Sequence, residues 1–237
     1  ELYNYLIEKN GEILINSNDK TQISQTSKYK KKKAFGNSKI SDFVFKFISP
    51  KNENISIKND EFIFSSSIYG KYNFNNICAA IAFGKIFDIS NDSIQKGISS
   101  YKPKNNRSEI IKKKNTTIIL DAYNANPSSM NEALEAFKES NMTKKSCVIL
   151  GDMLELGKYS LKEHKKIISK CLKIKVHNIL LVGDIFFKSR LDNNYNILYF
   201  SSTIELTDYL KNSKIKYDKV LIKGSRKIGL EKIIDFL

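Results

Sequence analysis

Thr116-Thr117-Ile118-Ile119-Leu120 runs without a break into Asp121-Ala122-Tyr123-Asn124-Ala125-Asn126-Pro127-Ser128-Ser129-Met130. The first five residues are β-branched or leucine, the composition of a short buried strand. Asn126 is a strong helix N-cap, and Pro127 suits the first helical position, where its missing N–H would have no partner anyway. The stretch therefore reads as strand, polar loop, helix, with the helix over about 127–139. Working outward, the same unit recurs. Strands are expected at Ser146 to Leu150, Ile179 to Val182, Ile197 to Phe200 and Lys219 to Ile222, with helices at about 160–173, 203–212 and 227–236. Ser108 to Lys112 adds one strand on the upstream side. Short apolar strands alternating with helices predict an α/β fold with a mostly parallel sheet and right-handed crossovers.

Upstream of residue 107 the texture differs. Residues 1–9 read as a helix closed by Asn10-Gly11, followed by a strand from Glu12 to Asn16. Asn18-Asp19 can cap a helix over 20–27, and β-rich runs follow at Asp42 to Ile48, Ile55 to Lys58 and Glu61 to Ser66. A helix from Asn73 to Phe87 carries apolar residues at Ile77, Ala80, Ile81 and Phe83. Another spans Asp92 to Ser99, and Pro103 breaks the chain after it. Asn105-Asn106 is the expected hinge, giving domains at 1–104 and 105–237.

The chain has 40 basic and 25 acidic residues, a net charge of +15. Nucleic acid is nevertheless not expected as a partner. The excess is spread, 16 basic to 10 acidic over 1–104 and 24 to 15 over 105–237, whereas a binding stripe gathers charge on one face. The dense run Lys28 to Lys33 reads as a solvated loop or helix end. No apolar run approaches the ~20 residues of a membrane span. The start at Glu1, without Met or a signal-like segment, is expected to lie inside a longer protein, and the localisation to be cytoplasmic. Cys78, Cys147 and Cys171 sit in apolar stretches without metal-ligand spacing and are expected as reduced core residues; no metal site is expected in this chain. The basic residues include only three arginines, Arg107, Arg190 and Arg226. A chain so biased towards lysine retains arginine where a planar fork is needed and an ammonium cannot replace it.

In open parallel sheets ligands sit beyond the carboxyl ends of the strands. Three polar or glycine-bearing loops fall there: Asp121 to Asn126, then Gly151-Asp152-Met153-Leu154-Glu155-Leu156-Gly157, then Lys223-Gly224-Ser225-Arg226. Helix capping accounts for Asn126 and Pro127 but not for Asp121, Tyr123 and Asn124 together. One glycine loop is weak evidence because turns use glycine generally. Three converging on one edge are stronger.

These three motifs, preceded by Gly70-Lys71-Tyr72-Asn73-Phe74-Asn75-Asn76, resemble in order the Mur ligases, and among them the branch that adds D-alanyl-D-alanine. The resemblance spans essentially the whole chain, most firmly from 70 to 237. It implies the back part of the central ATP-binding domain followed by a Rossmann-like C-terminal domain. It implies an ATP- and Mg2+-dependent amide-forming enzyme of peptidoglycan synthesis, acting on UDP-N-acetylmuramoyl-tripeptide and D-alanyl-D-alanine through an acyl phosphate, as a monomer. Asn73 and Asn76 would then hydrogen-bond adenine, Arg107 and Asp121 would hold the nucleotide, and Asp121 would accept from ribose hydroxyls. Tyr123, Asn124, Asn126, Asp152, Lys223, Ser225 and Arg226 would line the substrate cleft. Tyr72 stands where related ligases often have His, Ala122 replaces a common Ser, and Gly229-Leu230-Glu231 replaces a usual Met-Glu ending.

The chain contains no Gly-x-x-Gly-Lys-Thr/Ser phosphate loop. The resemblance places that loop, the metal ligands and the catalytic residues upstream of Glu1, so the chain alone is expected to be inactive. The alternatives are a sister Mur-type ligase, a folylpolyglutamate ligase, a basic nucleic-acid-binding protein, and a fragment with only a structural role. The diaminopimelate-adding enzymes are expected to carry Asp-Asn-Pro-Arg, which is absent here. The folate enzymes are expected to read Asp-Gly-Ala-His-Asn-Pro where this chain has Asp121-Ala122-Tyr123-Asn124-Ala125-Asn126-Pro127.

Overall fold

A computed structural model describes residues 1–48, 54–140, 142–191, 196–213 and 215–237. The chain forms two compact units, Glu1–Lys102 and Pro103–Leu237. In the first, α1 (Leu2–Glu8) leads to β1 (Ile13–Asn16), α2 (Lys20–Gln25), β2 (Lys32–Gly36) and β3 (Phe43–Val44), and the three strands form a parallel sheet. Asp19 caps α2 through the amides of Thr21 and Gln22. An antiparallel sheet follows, β4 (Lys46–Ile48), β5 (Asn54–Asn59) and β6 (Phe62–Tyr69), and then a 3-10 turn at Lys71–Asn73, α3 (Phe74–Ile86) and α4 (Asn91–Ser100).

Two local expectations for this unit are corrected. The lysine run is not only loop: Lys32 and Lys33 open β2 half-buried, their apolar stems lying along the strand, and the Lys32 ammonium reaches the Thr26 carbonyl. The buried face of α3 is Ile77, Cys78, Ile81 and Ala82, while Ala80 is exposed and Phe83 is 51% exposed. The helix is rotated by about one position from its expected stripe because Cys78 and Ala82 join the core with Phe45 and Phe64.

The second unit holds β7 (Glu109–Lys113), β8 (Thr116–Asp121), α5 (Pro127–Glu139), β9 (Ser146–Gly151), α6 (Ser160–Lys173), β10 (Asn178–Val182), α7 (Asp184–Lys188), β11 (Ile197–Phe200), α8 (Thr203–Asn212) and β12 (Lys219–Lys223). They form one six-stranded sheet in the order β11-β10-β9-β12-β8-β7. Only β7 is antiparallel to its neighbour, because just two residues separate it from β8 and a parallel pair needs a long crossover. The sheet is therefore mostly parallel, as expected.

Alternation along the strands explains the core. Ile118, Leu120, Cys147, Ile149, Val220 and Ile222 pack with Leu206 and Leu210 of α8. The intervening Ile119, Val148, Leu150 and Leu221 are equally buried on the opposite face. Coverage of both faces is why these strands read as continuous apolar runs. The expected C-terminal helix at 227–236 is instead two 3-10 segments, Arg226–Ile228 and Leu230–Phe236, divided at Gly229 with φ 72°. Leu230 and Ile233 are its buried residues, an i, i+3 spacing that three residues per turn keeps on one face.

Parallel β8, β9 and β12 end side by side. Lys223 lies opposite Asp121 on one flank and Leu150 on the other. The three polar loops thus leave the same edge of the sheet.

Candidate functional site

Asp121 and Lys223, 102 residues apart, meet at this edge. The Lys223 ammonium lies 2.6 Å from Asp121 Oδ2 and donates to the Asn124 carbonyl at 3.2 Å. Asp121 Oδ1 accepts the Ser108 amide at 3.2 Å. Lys223 is 2% exposed, so the pair works as a buried clasp between β8 and β12. In this structure the Lys223 charge is engaged by Asp121.

Several other expected site residues act through the backbone they hold. Asn126 accepts the Ser129 amide at 2.9 Å, and the Ser129 hydroxyl accepts the Asn126 amide at 3.2 Å, a reciprocal capping box with Pro127 inside it. Asn124 accepts the Ala125 amide at 2.8 Å. Ser225 does not cap the following turn by its side chain; its Oγ accepts the Leu154 amide at 3.0 Å and its amide donates to the Asp152 carbonyl at 3.1 Å. The loops after β9 and β12 are thereby stitched together.

Asp152 is 3% exposed, and its carboxylate turns inward rather than into a cleft. Its two oxygens accept the Ile185 and Phe186 amides at 2.9 Å each, at the start of α7. Beside it lies His164, fully buried. Its Nε2 accepts the Met153 amide at 3.0 Å, which leaves Nδ1 to donate to the Ser160 carbonyl at 2.7 Å. That pattern needs the neutral imidazole. Sequence reasoning passed over His164 because a lone His in a helical apolar stripe carries no signal beyond core.

Burial pushes the His164 imidazole below its ordinary 6.5 and the Asp152 carboxyl above its ordinary 3.8. The two act with opposite signs. A histidine kept neutral in the fold contributes fully above 6.5, and that contribution is withdrawn as pH falls below it. A carboxyl raised in the fold gains stability on acidification through its folded value. Comparing the protein with its His164→Gln variant isolates the imidazole. The variant is expected to be less stable at about pH 8, by roughly 1–3 kcal/mol for a disturbed buried acceptor. The gap in melting temperature should narrow as pH drops below 6.5; a gap constant with pH would dismiss the neutral-histidine assignment.

At the outer rim of the edge, the Arg107 guanidinium carbon lies 3.7 Å from the Tyr123 ring centroid and that of Arg226 5.4 Å from it. Both arginines are exposed. Hydrogen bonding to Arg107 and its charge, then the charge of Arg226, hold the Tyr123 phenol below its ordinary range. Arg190 instead stacks on Phe187 at 3.5 Å and donates to that residue's carbonyl. In the first unit, Asn73 donates to the Tyr69 carbonyl at 2.8 Å and accepts from Asn76 at 3.2 Å, so the two amides stand together at the start of α3. The three cysteines are buried free thiols, and burial raises Cys78 and Cys171 to about 12 each.

Residues 106–226 match the family model described as Mur ligase, glutamate ligase domain. The chain belongs to the Mur ligase family. A curated relative of this Mur ligase chain, the UDP-N-acetylmuramoyl-tripeptide–D-alanyl-D-alanine ligase of Bacillus subtilis (strain 168), is 31% identical over 210 residues, 85% of this chain and 46% of the relative. The enzyme of the same name from Borreliella burgdorferi is 26% identical over 200 residues, 77% of this chain and 43% of its own. The chain thus spans about half the length of the curated relatives it matches. Among solved structures, a crystal structure of MurF from Acinetobacter baumannii superposes with a TM-score of 0.79 at 22% identity, covering 95% of this chain and 51% of that one. MurC from Thermotoga maritima superposes with a TM-score of 0.71 at 12% identity, covering 99% and 55%. These likenesses establish the shared α/β fold.

Proposed function

We propose that this Mur ligase chain is the C-terminal half of a cytoplasmic ligase that joins the terminal carboxyl of UDP-N-acetylmuramoyl-tripeptide to the amine of D-alanyl-D-alanine. The observation that carries the reading is the convergence of the 121–126, 151–157 and 223–226 loops on one sheet edge, in a chain 31% identical to a relative named for that reaction. No helix among the described residues is long and apolar enough to cross a membrane.

The residues present suit a nucleotide at two places. Asn73 and Asn76 offer amide donors and acceptors of the kind an adenine edge requires. Arg107 offers a guanidinium with no acidic partner among the described residues. ATP supplies the phosphoryl group that activates the carboxylate. Among the described residues no group of three or more His, Cys, Asp or Glu could hold a metal ion. In this reading Asp121 faces the ribose from its clasp with Lys223 and the Ser108 amide, while Asn124, Asn126, Asp152 and Ser225 frame the loops. Tyr123 and Arg226 remain at the rim for phosphate or substrate.

The experiment is direct. The full-length protein, given ATP, Mg2+, UDP-N-acetylmuramoyl-tripeptide and D-alanyl-D-alanine, is expected to release phosphate and yield the pentapeptide product by mass spectrometry. The 237-residue chain alone is expected to yield neither, since it lacks a phosphate loop. Product with free glutamate or diaminopimelate but not with the dipeptide would overturn the substrate assignment.

A further inference from the structure

We propose that the outward face of α6 docks the protein on an anionic lipid surface. The proposal goes beyond the ligase reading and does not depend on it. The buried side of α6 is His164, Ile167, Ile168 and Cys171. The opposite side carries Lys162, Lys165, Lys166, Lys170 and Lys173, at the three- and four-residue spacings that share one helix face. These lysines and Leu161 line one open groove of about 730 Å3 beside α5, and no carboxylate is among its lining residues. Two of the charges have partners: Lys166 meets Glu163 at 2.6 Å, and Lys170 meets Glu135. Lys162, Lys165 and Lys173 are exposed and have no ion pair among the described residues. The stripe runs roughly 16 Å along the helix, long enough to meet more than one headgroup.

Charge alone suits any polyanion, and the neighbouring apolar side chains narrow the choice. Tyr159 and Leu161, at the start of α6, are 58% and 48% exposed. The Lys158 ammonium stands 5.4 Å from the Tyr159 ring centroid. An aromatic ring and a leucine set among lysines have the composition that settles at a bilayer interface. The ring lies at headgroup depth and the leucine reaches the acyl boundary. The lysine stems follow the apolar layer while their ammoniums stay with the phosphates. Nucleic acid fits this face less well. No arginine and no aromatic lines the groove, and those are the residues that fork onto phosphate or stack on bases. Near an anionic membrane each lysine strengthens binding about fivefold, so three free ones together give about a hundredfold.

The 237-residue chain is sedimented with vesicles of equal parts phosphatidylglycerol and phosphatidylcholine, and with vesicles of phosphatidylcholine alone. Binding is expected to the first only, and to weaken steeply as salt is added. Lys162→Gln, Lys165→Gln and Lys173→Gln combined should weaken it about a hundredfold at low salt. Lys28→Gln, Lys30→Gln and Lys39→Gln, at exposed lysines of the first unit, remove the same charge and should cost no more than about threefold. Because the chain has no tryptophan, Leu161→Trp is a local reporter, and its emission is expected to shift to the blue on the anionic vesicles. No binding to anionic vesicles, equal losses in the two triple variants, or an unshifted Leu161→Trp emission overturns the proposal. So does a larger loss for a single-stranded oligonucleotide than for the vesicles, which assigns the face to nucleic acid. Thermal unfolding checks that the variants fold. Should the α6 triple variant not fold, Lys165→Gln alone decides: a loss of about fivefold supports the lipid face, and an unchanged affinity overturns it.

Discussion

Lys223→Met is expected to destabilise the second unit by about 3–5 kcal/mol, the cost of breaking a buried ion pair from one side. The substitution is close in volume and leaves the apolar stem packed, so the loss is electrostatic. What remains is the Asp121 carboxylate, 13% exposed at its side chain, accepting from the Ser108 amide at 3.2 Å. That partial exposure argues for the lower end of the range. The Asn124 carbonyl also loses its donor. Replacing both partners, Lys223→Met with Asp121→Asn, should recover most of the loss, because removing two paired charges is far cheaper than stranding one. Urea unfolding read on the second unit checks this, as a shift of the midpoint at constant slope. A double variant as unstable as Lys223→Met would mean the clasp contributes through packing and not through charge. For function the consequence is specific. If Lys223 neutralises Asp121 in the folded chain, its substitution disturbs the carboxyl edge of the sheet through Asp121.

The α/β architecture was legible because its signals are local. Pro127 after Asn126, and five-residue apolar strands spaced by helix-length segments, point to a parallel sheet with no tertiary knowledge. The convergence of the three loops on one edge was legible because parallel strands place their carboxyl ends together. What each residue does in those loops was not. Asp152, Asn126 and Ser225 have the polar types expected of ligand contacts, yet their side chains satisfy backbone amides. Nothing in residue type distinguishes an oxygen that accepts from a ligand from one that accepts from a neighbouring loop. The Asp121–Lys223 clasp needs a pairing register across 102 residues, which no short pattern carries. Asp184–Lys188 escaped because five residues are too few for a helical period to show. The C-terminal segment was read as α-helix because its apolar spacing fits either helix, and only the break at Gly229 decides. Conversely, the scarcity of arginine was visible at once, and two of the three lie at Tyr123.

Gly183→Ala is expected to cost about 3 kcal/mol or more, combining backbone strain with the loss of buried hydrogen bonds. Gly183 lies between β10 and α7 with φ 119° and ψ 163°, a conformation essentially reserved for glycine. A Cβ there would stand 2.3 Å from Asp152 Oδ2 and 2.4 Å from its Cγ, well inside contact distance. An ordinary side-chain end could swing away. This one cannot, because its oxygens are fixed by the Ile185 and Phe186 amides in a site 3% exposed. Nor can the glycine retreat, since its own amide donates to the Phe200 carbonyl at 2.9 Å. The variant must therefore either expel the carboxylate, leaving two buried amides without an acceptor, or unwind the start of α7. Gly97→Ala in α4 provides the contrast: the added methyl meets nothing within 4 Å, and exchanging glycine for alanine inside a helix stabilises by up to about 1 kcal/mol. Thermal unfolding of the two variants should move in opposite directions. Hydrogen exchange should also show faster opening of the Met153 and Leu154 amides in Gly183→Ala. Those amides are held by His164 and Ser225 on either side of the displaced Asp152. A Gly183→Ala protein with unaltered melting and protection would mean that the carboxylate has room to move, and that the loop after β9 does not depend on it.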